Sequence, residues 1–294
     1  MRRIFVAIAL CAGLSTLISS CGNQTAKTDE VAAQTNAADS SVTSQWKLGV
    51  QFWTFHMFPF TTALEKADSA GIKNIEAYLG QPIGGDSKDT FNLRLSAEGR
   101  QKLKALLQSK GITMVAFGVV QPGNDVEWKQ TFDLARDMGV SYITAEPKKE
   151  HWHIADSLAG VYNIPIAIHD HPYPNAYAHP DSVIAAMKGH PNLYACADLG
   201  HWARNGLDVK ECLQKLEGRI IGSHLKDIVT FNDTKAADTI PGKGVIKFPE
   251  VFAEFKRQGF KGMFSIEHES NWYNNVPDVK EIVGYYNEQV KALK

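Results

Sequence analysis

This chain has little cysteine, almost no net charge, and no long apolar run beyond its first residues. Four cysteines occur in 294 residues, too few for a fold built on disulfides. Cys11 and Cys21 lie near the start, and Cys196 and Cys212 read most simply as two buried free thiols. There are 31 basic and 32 acidic residues, a formal net charge of −1, so nothing points to nucleic acid or another polyanion as partner. No G-x-G-x-x-G turn follows an early strand, which argues against a doubly wound dinucleotide fold. Gly84-Gly85 falls in a long loop instead.

The one long apolar run is Ile4 to Ile18, relieved by Gly13, Ser15 and Thr16 and preceded by Met1-Arg2-Arg3. Basic start and apolar run together read as a signal peptide, too short to span a bilayer well. The run closes on Ile18-Ser19-Ser20-Cys21-Gly22, which resembles the lipobox of bacterial lipoproteins. That resemblance implies lipidation at Cys21, export, and a periplasm-facing protein held to a bacterial membrane by a lipid anchor alone. An ordinary secretory signal is the alternative, and it too takes the protein out of the cytoplasm. Residues 22–45 are rich in Thr, Ser, Ala, Asn, Gln and Asp, with no aromatic residue before Trp46. Such a segment cannot bury enough surface to fold and reads as a flexible tether. The expected organisation is signal 1–21, tether 22–45 and one domain over 46–294.

That domain alternates strand and helix eight times. The strands are expected at Lys47–Phe55, Asn74–Leu79, Ile112–Val119, Ser141–Glu146, Pro165–His169, Leu193–Asp198, Ile220–His224 and Met263–His268. Helical segments follow each, and glycines such as Gly71, Gly111, Gly139 and Gly259 close them. Eight short-linked units of this kind predict a single (β/α)8 barrel. Longer loops at 80–96, 169–181 and 226–248 fall on the face where such a barrel builds its site.

Acidic and imidazole side chains stand at the ends of four of these strands: Glu146, Asp198, His224 and Glu267. A parallel barrel gathers such ends at one rim, and this set would hold a divalent ion, with Mn²⁺ preferred and Mg²⁺, Co²⁺ or Zn²⁺ as alternatives. Each alone is as readily a helix cap or an ion-pair partner. Parity supports the set. If Glu146, His169, Asp198, His224 and Glu267 face inward, so do Thr144, Ala167, Cys196, Gly222 and Ser265, all small enough to leave room above them.

Thr144-Ala-Glu146-Pro, Asp198-Leu-Gly-His201, His224-Leu-Lys-Asp227 and Ser265-Ile-Glu267 occur in the order and spacing of the xylose isomerase-like barrels. Leu48-Gly-Val-Gln-Phe-Trp-Thr54 and Pro241-Gly-Lys-Gly244 resemble that family as well. The resemblance implies metal binding by Glu146, Asp198, His224 and Glu267. It implies substrate binding or proton handling by His201, a polar role for His169, and a metal-touching carboxylate (Glu146 or Glu267) as base. His201 could instead orient Asp198, and Lys226 could serve as acid or electrostatic stabiliser, or pair with Asp227. Glu76 and Glu269 are expected to bind sugar hydroxyls.

The family's chemistry is removal of a proton beside a sugar carbonyl, giving isomerisation, epimerisation, elimination or hydration. Export disfavours a phosphorylated sugar. Exported lipoprotein members imply a 3-keto-glycoside lyase or keto-glucal hydratase, working on sugars first oxidised by a partner oxidoreductase. A sugar isomerase or epimerase is the second reading, and a barrel that binds carbohydrate without turning it over is the third.

Overall fold

The computed structural model describes residues 42–293. The expected signal peptide, Cys21 and nearly all of the expected tether lie outside them. Among the described residues no helix is long and apolar enough to cross a membrane.

Eight strands close into a parallel barrel. Numbered along the chain they are β1 (Lys47–Gln51), β2 (Asn74–Ala77), β5 (Thr113–Val120), β6 (Tyr142–Ala145), β7 (Ile166–His169), β8 (Leu193–Asp198), β9 (Ile220–Leu225) and β12 (Met263–Ile266). They neighbour one another in that order, and β12 pairs with β1 from Lys47↔Met263 to Val50↔Ile266 to close the ring. The helices are α1 (Phe60–Ser69), α2 (Ala97–Ser109), α3 (Asp125–Met138), α4 (Trp152–Tyr162), α5 (Pro180–Met187), α6 (Leu199–Arg204), α7 (Val209–Lys215), α8 (Phe248–Arg257) and α9 (Val276–Ala292). Strands β6, β7 and β12 are buried at every residue, as expected for strands covered on both faces. Helix α3 shows why its boundaries were legible. The Asn124 side chain accepts the Glu127 N–H at 3.0 Å, and the helix ends on Gly139 at φ 72°, where a left-handed residue closes the last turn.

Two apolar regions hold the barrel. A small cluster inside it joins Val115, Ala116, Tyr142, Ala167, Cys196 and Met263. The larger core lies between the sheet and the helices, and its densest part surrounds Phe264. That ring sits 4.9 to 5.5 Å from those of Phe255, Phe260, Trp46 and Phe252. The Trp46 indole N–H donates to the Phe260 carbonyl at 2.8 Å, which fixes the start of the barrel to its last αβ link. Cys196 and Cys212 are buried and free, as expected.

Several boundaries differ from expectation. Strand β1 stops at Gln51, because the Gln51 side chain accepts the Trp53 N–H at 2.9 Å and starts a 3₁₀ turn over Phe52–Phe55. The loop expected at 80–96 contains a hairpin, β3 (Gln81–Gly84) and β4 (Ser87–Phe91). Gly84 and Gly85 form its turn at φ 80° and 61°, the conformation glycine permits at least cost. The 226–248 loop contains a further pair, β10 (Asp227–Ile228) and β11 (Asp238–Thr239). Pro241-Gly-Lys-Gly244 is the wrapping around one carboxylate: Asp227 accepts the N–H groups of Ile228, Gly242, Gly244 and Ile246 at 2.9 to 3.2 Å. A Cβ at Gly244 would lie 2.4 Å from the Asp227 carboxylate. Asp227 is thus a loop anchor, and no ion pair joins it to Lys226.

Replacing Phe264 by Ala should leave a cavity between β12, α8 and α9 and destabilise the barrel by about 3–5 kcal/mol. Urea unfolding followed by circular dichroism would read this as a lowered midpoint with the slope unchanged.

Candidate metal centre and cleft

The C-terminal ends of the strands bring the expected residues together around His169 and His224. His224, at the end of β9, presents Nδ1 to Glu267 Oε2 at 2.9 Å, His169 Nε2 at 3.0 Å and Asp198 Oδ2 at 3.6 Å. His169 Nε2 is itself 3.6 Å from Asp198 Oδ2. Asp198 and His224 are fully buried, and His169 and Glu267 are 1 % and 7 % exposed. Four side chains from β7, β8, β9 and the end of β12 therefore converge. Three belong to the expected set; the fourth, Glu146, groups with His169 and His171 in a second, adjoining set of metal-type donors.

Glu146 stands behind this group. Ala145 pairs with Ile168, which puts Glu146 beside His169 and three strands from His224 around the wall. Its carboxylate is 3.6 Å from His169 Nδ1, the nitrogen turned away from the cluster. The same carboxylate accepts from Gln121 at 2.6 Å and Asn175 at 3.0 Å, and it bonds His171 Nδ1. It thus orients His171 through a hydrogen bond and faces His169 by charge alone. Burial works against its charge, but the nearby His169 and the hydrogen-bonded His171 hold its pKa well below the usual carboxylate range.

Glu76 also departs from its expected role at a sugar hydroxyl. It is fully buried and reaches across the barrel interior. Its Oε2 bonds His224 Nε2 at 3.0 Å and accepts from Ser265 Oγ at 3.0 Å. The carboxylate fixes the His224 ring so that Nδ1 faces the cluster. Ser265, Cys196 and Gly222 form the small layer below, and a Cβ on Gly222 would strike the Tyr142 hydroxyl at 2.8 Å.

Asp198 divides its two oxygens. Oδ1 accepts the His201 N–H at 2.9 Å and caps α6. Oδ2 is buried without a hydrogen-bond partner. It is 3.6 Å from a nitrogen of each of His169, His201 and His224, and 3.4 Å from Lys226 Nζ. One oxygen is thus spent on the helix cap, and the other is left to face the imidazoles and Lys226.

The charges test whether these residues suit a metal ion. Burial opposes a charged His169, yet its carboxylate partners Asp198 and Glu146 raise it to about 9. Burial also opposes a charged His224, and it is raised too. Cys196 beneath it is a neutral thiol, pushed up to about 12 by burial, so the Glu76 and Glu267 carboxylates are what favour the charged ring. But His169 Nε2 and His224 Nδ1 face each other at 3.0 Å, and two N–H groups cannot both point across that gap. A cation accepting both lone pairs together with Asp198 Oδ2 and Glu267 Oε2 removes the conflict. It also supplies the missing partner of Asp198 Oδ2. The residues fit a divalent ion, with two nitrogens and two oxygens as donors. That set suits Mn²⁺, Co²⁺ or Zn²⁺ better than Mg²⁺, which prefers oxygen.

Lys226, His201 and Glu269 border this group. Lys226 Nζ lies 2.6 Å from Glu269 Oε1 and 3.0 Å from Glu267 Oε2. Burial disfavours its charge, but the carboxylates of Asp198, Glu267 and Glu269 outweigh burial and hold its pKa well above the usual ammonium value. In return Glu267, which burial alone would raise, is brought down to about 2 by Lys226 and His224. The His201 ring is pushed well below the usual imidazole range, first by burial and, against the pull of Asp198, by Lys226. Arg204 Nη1 donates to His201 Nδ1 at 3.0 Å. A guanidinium only donates, so the ring proton of neutral His201 belongs on Nε2.

Above the cluster opens a cleft of about 370 Å³ lined by Trp53, Tyr78, Gln121, His171, His201, Arg204, Glu267 and Glu269, among others. Trp53 is 40 % exposed, stacks on His56 with ring centroids 4.5 Å apart, and meets Tyr78 edge-on at 5.2 Å. His171 packs at 5.0 Å from the His201 ring. Sequence reasoning placed His171 only within the long loop at 169–181. The signal was its spacing: it lies two residues past His169 and so shares its parity. A larger cavity of about 450 Å³ lies at the opposite mouth, among the strand starts at Lys47, Tyr142, Ile220 and Met263, away from every group just described.

A family model for the xylose isomerase-like TIM barrel matches residues 64–289, and the chain belongs to that family. Among solved structures, an uncharacterised protein of Parabacteroides distasonis is 32 % identical with a TM-score of 0.69, over 83 % of this chain and 99 % of that one. A Bacillus anthracis protein described as a 3-DHS dehydratase of petrobactin synthesis is 15 % identical with a TM-score of 0.63, over 82 % and 98 % of the two chains. A D-allulose 3-epimerase from Methylomonas sp. is 13 % identical, also at a TM-score of 0.63, over 83 % and 98 %. At such identities the last two share the fold. No curated protein matches the chain.

His169→Ala removes a donor atom, whereas Glu146→Gln removes only the carboxylate charge behind it. Calorimetric titration with Mn²⁺ should show Glu146→Gln weakened by about 10–100-fold, the usual effect of losing such a partner. His169→Ala should be weakened far more. The reverse order would restore Glu146 as a direct ligand.

Proposed function

We propose that this barrel is a divalent-metal-dependent enzyme acting on an unphosphorylated carbonyl sugar by moving the proton beside the carbonyl. A 3-keto-glycoside lyase or keto-glucal hydratase is the leading reading. The observation that carries it is the buried Asp198 Oδ2, without a hydrogen-bond partner and set among two facing imidazoles and Glu267 at the floor of a sugar-sized cleft. A metal ion there would act as a Lewis acid toward a carbonyl oxygen and its neighbouring hydroxyl.

The chain's own groups divide the remaining work. Glu269 lines the cleft with a carboxylate held by Lys226, and takes the proton from the carbon beside the carbonyl. The Lys226 ammonium favours the negative charge that develops there. His201 offers Nε2–H as a hydrogen-bond donor to a sugar oxygen. His171 is backed through Nδ1 by Glu146, which leaves Nε2 to protonate a departing oxygen, as elimination needs and simple epimerisation does not. Trp53 and Tyr78 give a flat apolar face of the kind sugar rings and aglycones cover.

Arg204 supports an unphosphorylated substrate. Its guanidinium is committed to His201, the Ala236 carbonyl and Asp238, leaving no free fork for a phosphate. Export through the Cys21 signal, a lipid anchor facing the periplasm, and a partner oxidoreductase supplying the ketone complete the reading.

Mn²⁺-loaded protein should be incubated with 3-keto-glucosides and free aldoses in D₂O and followed by NMR. The expected result is deuterium beside the ketone together with release of the aglycone. Deuterium with isomerised or epimerised sugar, and no release, would establish the isomerase reading instead. No exchange with any sugar would leave a binding barrel. With the true substrate in hand, Glu269→Gln should lower kcat by about 10²-fold or more with bound Mn²⁺ unchanged.

A further inference from the structure

Lys226 is among the largest fully buried side chains of the protein, and its charged end lies within a set of metal-type donors. Nζ is 2.6 Å from Glu269 Oε1, 3.0 Å from Glu267 Oε2 and 3.4 Å from Asp198 Oδ2. Two of these atoms, Glu267 Oε2 and Asp198 Oδ2, also face His169 and His224. The shared carboxylates therefore look toward two adjacent cation positions, the arrangement by which proteins hold pairs of metal ions. One position is bounded by the imidazoles of His169 and His224. The other contains the lysine.

We propose that the Lys226 ammonium fills a second cation position of this cluster and so holds the centre to a single divalent ion. This rests on the metal reading of the site given above. The charges agree with it. The carboxylates of Asp198, Glu267 and Glu269 carry three negative charges between them, and one ammonium with one divalent ion carries three positive. Glu76 and Glu146 stand behind imidazoles, and Asp238 is paired with Arg204.

The position is built into a second element of the chain. The Lys226 stem crosses α6 at Gly200, where a Cβ would lie 2.5 Å from Cγ and 2.8 Å from Cδ of the lysine. Gly200 stands in the first turn of the helix and has no positive φ, so its backbone does not ask for glycine. What the missing side chain gives is room for Lys226. A tethered ammonium differs from a second metal ion in a way that matters for an exported protein: it cannot be lost to chelators or dilution.

Metal-stripped full-length protein should be titrated with Mn²⁺, with bound ion counted by elemental analysis and followed by electron paramagnetic resonance. Wild type should stop at one ion per chain with the spectrum of an isolated Mn²⁺. Lys226→Ala should accept a second ion and show a spin-coupled pair. Lys226→Met, which keeps most of the buried volume, should do the same and covers the case in which the alanine variant does not fold. Two ions in wild type, or saturation of both variants at one, would overturn the inference. A wild type that binds no ion overturns it together with the metal reading. Because the count needs no sugar, failure to find a substrate leaves it standing.

Discussion

Everything at the top of this barrel follows from carboxylates placed where water does not reach. Asp198 is fully buried and Glu267 nearly so, and a buried charge persists only when other charges or donors answer it. The answers come from separate elements: His169 from β7, His224 and Lys226 from β9 and its end, His201 from α6. Asp198 adds a constraint of its own, because its first oxygen is tied to the helix that follows it. The second oxygen is therefore aimed by backbone geometry, and the surrounding side chains are arranged around a fixed point.

The support beneath is polar where it meets the cluster and apolar below. Glu76 crosses the barrel to hold the His224 ring, and the small residues under the rim let that crossing occur. In most barrels the interior is filled by branched aliphatic side chains. Here one layer is given to Thr144, Ala167, Cys196, Gly222 and Ser265, and stability comes instead from the aromatic packing around Phe264 outside the sheet.

The eight strands were legible because each is short, apolar and closed by a recognisable cap or glycine. The inward face was legible from parity. Distance around the wall was not, since period-two alternation tells which way a side chain points and says nothing of which strand end reaches the centre. Glu146 and His169 end neighbouring strands on the same face, and the choice between them depends on the His169 ring standing in front of Glu146. Glu76 was misjudged for a related reason: its parity is inward, but it lies below the rim, where it meets a ring nitrogen rather than a ligand. The hairpin at 81–91 had a local signal in Gly84-Gly85 that was read only as loop, whereas the role of Asp227 depends on the distant N–H groups of Gly242, Gly244 and Ile246, which no local pattern records.

Asp238 ties three parts of the cleft wall together. Its carboxylate accepts from Arg204 on α6 and, at 2.8 Å, from the N–H of Glu269 beyond β12, while itself belonging to β11. Arg204 in turn sets the proton on His201. One side of the cleft is thus braced like a truss, so that a push on any of its members is carried by all three. The facing side is held more lightly, by Tyr78 on the His56 carbonyl at 3.4 Å and Gln81 on the Phe58 carbonyl at 3.0 Å, and is where a bulky guest would find more give.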